Sequence, residues 1–229
     1  MGDGGSIGNL NDSCNGERAC ELAGVDEGSI ENVNDSCIGV RACYRLGYHR
    51  GQVGNIINSC GVAYACESAA SGGGTIGSIT NSCDGDKSCV WLGHTYGDVG
   101  NLLNSCKGSN ACDSAARSGG SIDGITGSCT DSSACYFLGG GNGKVGFVTD
   151  SCIGESSCLN ASSRRGSIGS ISQSCTAENS CKLAGNGQTG AITSNLKSCC
   201  NTLSSPGVCE SATELTLPTQ CTHRSKVRQ

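Results

Sequence analysis

The chain has little of what usually holds a domain together. Its 229 residues include two Pro, one Met, one Trp, two Phe and five Tyr. Leu, Ile, Val and Phe together make up about 17% of it, less than an ordinary core requires. No apolar run approaches the roughly 18 residues needed to cross a bilayer, so membrane insertion is not expected. Met1 is followed by Gly-Asp-Gly-Gly, without the basic and apolar regions of a secretory signal. Basic residues are not in excess, the net charge being −5. Low apolar content alone suggests disorder, but a disordered chain ordinarily carries more net charge. What the chain has in quantity is Gly, with 37 residues, and Cys, with 20. An even number of regularly spaced Cys reads as a disulfide framework and hence as an oxidising, extracellular or cell-surface setting.

A 23-residue repeat organises these residues. Gly5, Gly28, Gly51, Gly74, Gly97, Gly120, Gly143 and Gly166 each open a unit such as GSIGNLNDSCNGERACELAGVDE, and eight units fill residues 5–188. Taking this Gly as position 1, position 3 is always Ile or Val and position 6 always Leu, Ile or Val. Position 9 is always Ser, and positions 10 and 16 are always Cys. A unit with so few apolar side chains cannot fold alone, but stacked units share a narrow continuous core.

The apolar residues are mainly β-branched, the repeats contain no Pro, and no segment shows a 3.6-residue period, which argues against a helical solenoid. Residues around position 8 alternate as in a short strand, with positions 6 and 10 facing in. The expected fold is all-β: a single-chain parallel β-solenoid, one coil per repeat. At roughly 4.8 Å per coil, eight coils make a rod about 40 Å long. Gly at positions 1, 4 and, in most units, 12 marks expected corners of positive φ. Position 8 is Asp or Asn in six units, where stacked side chains are expected to hydrogen-bond along the rod.

The cysteines form eight C-x5-C pairs: Cys14 and Cys20, Cys37 and Cys43, Cys60 and Cys66, Cys83 and Cys89, Cys106 and Cys112, Cys129 and Cys135, Cys152 and Cys158, Cys175 and Cys181. Two bridging patterns are open. A bridge within a coil ties one corner, and the loop-entropy relation gives it about 2.4 kcal/mol. A bridge between coils joins stacked cysteines, whose spacing of about 4.8 Å is also permitted. The first pattern is favoured because it keeps every coil equivalent. The spacing does not match C-x2-4-C metal sites and no His accompanies the pairs, so neither metal nor cofactor is expected.

The motif C-x5-C-x-x-A, in CNGERACELA (Cys14 to Ala23) and CGVAYACESA (Cys60 to Ala69), resembles the coil of beetle antifreeze proteins, which are small disulfide-tied β-solenoids. The resemblance implies bridges within coils. It does not extend to ice-binding residues, since that family presents rows of Thr-x-Thr and none occurs here. The whole unit, with its NSC-x-G-x-x-[AS]-C core, is similar to long tandem Cys-rich arrays of predicted cell-surface proteins from marine microalgae.

A second period lies within the first. Coils 2, 4 and 6 carry Leu46, Leu92 and Leu138 at position 19, whereas coils 1, 3, 5 and 7 carry Ala23, Ala69, Ala115 and Ala161. Large beside small lets stacked side chains interdigitate. Tyr44, Tyr48, Trp91, Tyr96, Tyr136 and Phe137 all fall in even coils; this aromatic stripe is the candidate contact surface, with sugar stacking as one use. Arg18, Arg41 and Lys87 share position 14 and read as a solvated basic row without interleaved aromatics, so nucleic acid is not an expected partner. His49 and His94 do not align, and no Ser-His-Asp or paired-carboxylate set recurs; no catalytic activity is expected. Asn11, Asn34 and Asn160 open N-x-S sequons.

Residues 189–229 break the pattern. Cys199, Cys200, Cys209 and Cys221 occur there with Pro206, Pro218 and a basic tail, as expected for a degenerate ninth coil and a disulfide-tied cap. Four residues precede the first coil, leaving its strand edges bare. The expected function is that of an extracellular structural rod that associates end to end, or laterally through the aromatic stripe, or that belongs to a longer array. The alternative is a ligand-binding solenoid for ice or glycan.

Overall fold

A computed structural model describes residues 4–186 and the strand residues 191–192 and 196–197. Ile or Val at position 3 and Leu, Ile or Val at position 6 favour extended backbone and need the same interior. Each coil therefore contributes two short strand segments, as in Ser29–Ile30 and Val33–Asn34. In coils 5, 6 and 7 the segments merge into Asp98–Leu103, Ser121–Thr126 and Lys144–Thr149. All pair in parallel in one sheet, each residue facing its counterpart in the next coil, such as Ile122 with Val99 and Val145. The chain is a parallel β-solenoid, and every regular element among the described residues is a strand. Beyond coil 8, Ala191–Ile192 and Leu196–Lys197 pair with Ser167–Ile168 and Ile171–Ser172.

The core is one continuous stack. Positions 3 and 6 are buried from coil 2 onward, together with the cysteines and the small residues of positions 15 and 19. Leu46, Leu92 and Leu138 are fully buried and alternate with Ala69, Ala115 and Ala161, so the 46-residue period lies in the core. Each coil closes on its own disulfide. All eight bridges from Cys14–Cys20 to Cys175–Cys181 lie within a coil, with Cα–Cα distances of 5.4–5.8 Å. The between-coil alternative is not adopted. Cys199, Cys200, Cys209 and Cys221 lie outside the described residues, as does the cap expected there.

Two expectations about the corners are corrected. Glycines at positions 1, 4 and 12 do not supply positive φ; they allow close approach. A Cβ at position 1 would lie 1.7–2.1 Å from the carbonyl oxygen of position 20 in its own coil, from Gly5 through Gly166, so the coil can close only on Gly. At position 12, a Cβ on Gly16, Gly39, Gly85, Gly108 or Gly154 would meet the next coil's backbone at 2.2–2.4 Å. Positive φ falls at positions 8, 10, 14, 18 and 20 of every coil, mostly on residues other than Gly, Cys at position 10 among them. Position 8 thus serves through its backbone, with φ of 43–58°, and Asn and Asp suit it because they tolerate that region best. The side-chain ladder lies instead at position 5, where Asn9 and Asn32 both donate to the next coil, Asn32 Nδ2 reaching Asn55 Oδ1 at 2.7 Å.

The invariant serine of position 9 forms a second, buried ladder. From coil 1 through coil 7 each hydroxyl donates to the position 7 carbonyl of its own coil and accepts the N–H of the next coil's serine. Ser82 Oγ donates to the Thr80 oxygen at 2.8 Å and accepts from Ser105 N at 3.0 Å. The same geometry recurs at Ser36, Ser59, Ser105, Ser128 and Ser151. The left-handed corner leaves this N–H without a backbone acceptor, and the hydroxyl supplies one. Position 15 shows the opposite case: it is Ala in five coils, and the buried hydroxyls of Ser88 and Ser157 have no hydrogen-bond partner.

Two serine substitutions should therefore differ in sign. Ser82→Ala strands the Ser105 N–H and should cost about 1–3 kcal/mol. Ser88→Ala removes an unpaired polar group and should raise stability by up to about 1 kcal/mol. Thermal unfolding of the disulfide-bonded protein followed by circular dichroism measures both; equal effects would contradict the two roles.

Candidate functional site

Stacking in register turns sequence positions into rows, and positions 14, 17, 18 and 21 build the most chemically varied surface. The basic row of position 14 is not free of aromatics, which corrects the sequence reading. Tyr64 occupies that row between Arg41 and Lys87, with the two cations 5.7 and 5.9 Å from its ring centre. Tyr44, one position 17 residue, is buried beneath Arg18, Arg41 and Arg45, which stand 5.0, 4.3 and 5.1 Å from its ring. The cause is geometric: stacked coils bring residues 23 apart side by side, so charges and rings from different repeats interleave.

The candidate aromatics do not form one stripe. Tyr48 and Trp91 line a shared groove, with Tyr44 beside it under the Arg45 guanidinium. Tyr96 is 74% exposed and lies over Gly73, whose absent Cβ leaves room for the ring. Tyr136 and Phe137 sit in coil 6, Phe137 packing on Gly140, and are not among the groove's lining residues.

The groove has a volume of about 540 Å³ and follows directly from the 46-residue period. Coil 3 has small residues at its floor, Ser68, Ser71 and Gly72. Coil 2 raises Arg45, Tyr48 and His49 on one side; Trp91 and His94 of coil 4 and Arg117 of coil 5 stand on the other. The Arg117 guanidinium carbon lies over the Trp91 ring, 4.2 Å from its centre, and that of Arg45 over the Tyr48 ring, 5.6 Å from its centre. The sequence reading missed Arg45, Arg117 and the two histidines as a group. His49 and His94 occupy different positions of the repeat, yet both reach this groove. The alternation of bulk at position 18 was the signal available.

Charge in and around the groove is unevenly matched. Arg18, Arg41 and Arg50 each pair with a carboxylate, those of Glu21, Glu67 and Glu27. Arg45 and Arg117 make no ion pair of this kind among the described residues. Burial, and then the Arg117 charge, hold His94 below the ordinary imidazole range, so it is neutral at pH 7. Burial pushes the Asp113 carboxyl up against the opposing pull of the Ser114 hydroxyl, Arg117 and Lys87. A hydrogen bond to Asp26, and then that carboxylate's charge, raise the Tyr48 hydroxyl. No carboxylate lines the groove. The arrangement suits the holding of an anion beside flat rings.

No protein-family model matches the chain, and no curated protein or solved structure matches it either.

Asp113 gives a test of these electrostatics. A carboxyl raised in the folded state contributes most stability when protonated, below its unfolded value near 3.8, and loses that contribution as pH rises through the raised value. Asp113→Asn, which keeps an acceptor for Ser114, should raise Tm at pH 7 and leave it nearly unchanged near pH 3. A loss of Tm at pH 7 would show that the charge is favourable there.

Proposed function

We propose that the chain is a non-catalytic extracellular structural protein, a stiff rod that associates end to end with copies of itself. The observation that carries this reading is the stack itself: each described coil pairs in register with the next and closes on its own disulfide, so any coil is a template for another. Leu10 is 50% exposed, whereas its counterparts Val33, Ile56, Ile79 and Leu102 are at most 1% exposed. Among the described residues, Ser6–Ile7 and Leu10–Asn11 pair on one side only. Open strands and an uncovered apolar row are a template for another coil of the same kind, from a second copy or from the same chain. The bridged cysteines support an oxidising setting, and a disulfide in every coil suits a load-bearing or exposed rod. Glycan binding, the alternative, has the cationic groove in its favour.

Light scattering and electron microscopy test association. The native chain should form species that lengthen with concentration, and Leu10→Lys, placing a charge on the open edge, should be monomeric. A native chain that stays monodisperse and monomeric at all concentrations would overturn the proposal.

A further inference from the structure

We infer that the groove across coils 2–5 binds an acidic polysaccharide, with Arg45 and Arg117 holding its anionic groups and Tyr48 and Trp91 flanking its sugar rings. The inference goes beyond the rod and does not depend on its self-association. It begins with the two guanidiniums. Each lies against an aromatic ring, and each lacks the carboxylate partner that Arg18, Arg41 and Arg50 have. A guanidinium beside a ring keeps its charge and its planar fork of N–H donors, the group that binds carboxylate or sulfate in a bidentate manner. Because the rings hold these side chains, less conformational freedom is lost on binding.

The rest of the groove fits a sugar better than a small apolar ligand. Ser68 and Ser71 form the floor, with His49 and His94 on the walls, so hydroxyl-bonding groups lie beside the rings. Rings next to hydrogen-bonding groups are what a pyranose requires, since it has both C–H faces and hydroxyl edges. The site is an open groove and not an enclosed cavity, as suits a chain that passes across it.

The rings argue for a polysaccharide over nucleic acid: a guanidinium already lies over each of them, which leaves less ring face for a base to stack on. The protein's net charge is −5, so attraction of any polyanion is local to the groove and falls off within a Debye length of about 10 Å.

Trp91 is the only tryptophan of the chain, so its fluorescence reports on the groove itself. The full disulfide-bonded protein is titrated at low salt with polygalacturonate, heparin, dextran and a single-stranded oligonucleotide. Affinities are then compared by retardation in gels containing each polymer. A saturable, salt-sensitive change with polygalacturonate or heparin is expected, the two distinguishing carboxylate from sulfate, and none with neutral dextran. Arg45→Gln and Arg117→Gln should each weaken retardation about tenfold or more, with circular dichroism checking the fold. Should Arg117→Gln not fold, Arg117→Lys keeps the charge without the planar fork and should still bind more weakly than the native chain. The inference is overturned if neither acidic polymer changes the fluorescence, if the arginine variants bind as the native chain does, or if the oligonucleotide binds more tightly.

Discussion

The within-coil disulfide is the constraint on which the solenoid depends. It joins positions 10 and 16, and the loop it closes contains left-handed backbone at positions 10 and 14 in every coil. For residues other than Gly that conformation costs roughly 1–2 kcal/mol each, and it persists only where the surroundings over-determine it. Closing a seven-residue loop contributes about 2.4 kcal/mol by restricting the unfolded chain. The remainder comes from the neighbours: the backbone of each corner bonds to the coil before it, as from Cys89 N to the Ala65 oxygen at 2.7 Å and Trp91 N to the Glu67 oxygen at 3.1 Å. A coil is therefore stable because it is bridged within and stacked without, and neither suffices alone.

Once corners are fixed in this way, the rest of the repeat follows. The left-handed turn after the strand removes the backbone acceptor for position 9, and an invariant serine replaces it. Coils closing at position 1 leave no room for a Cβ, and glycine is obligatory there. A thin core formed by aliphatic residues at positions 3, 6 and 19 and a disulfide needs no aromatic ring, so the described aromatics lie outside it, Tyr44 buried under arginines. The outside has its own alternation at position 18, where Ser68 and Ser114 lie between Arg45, Trp91 and Phe137, and coil 3 becomes the floor of the groove.

How much of this was legible depended on the scale of the contact. Repeat length, strand positions and inward-facing residues are properties of one coil and could be read directly. For Cys14 and Cys20 spacing alone permits both bridges, and the equivalence of the coils together with a resemblance favoured the one within the coil. The role of glycine was misread: a Gly that supplies positive φ and one that makes room, as Gly97 does against the Ala116 oxygen, look the same in sequence. The ladder expected at position 8 appeared at position 5 for a related reason, since side-chain direction depends on the corner's handedness. The groove was least legible. Arg45 and Arg117 are three coils apart, and only stacking puts them at one site.

If the disulfides hold the corners in place, reduction and alkylation under otherwise native conditions should unfold the rod as a whole. Amide hydrogen exchange followed by mass spectrometry measures this coil by coil. Protection in the strands and corners of every coil should be lost after reduction, while the untreated protein retains it from coil 2 through coil 8. A reduced and alkylated chain that keeps its strand protection would show that stacking alone maintains the left-handed corners, and would contradict the central role given to the bridges.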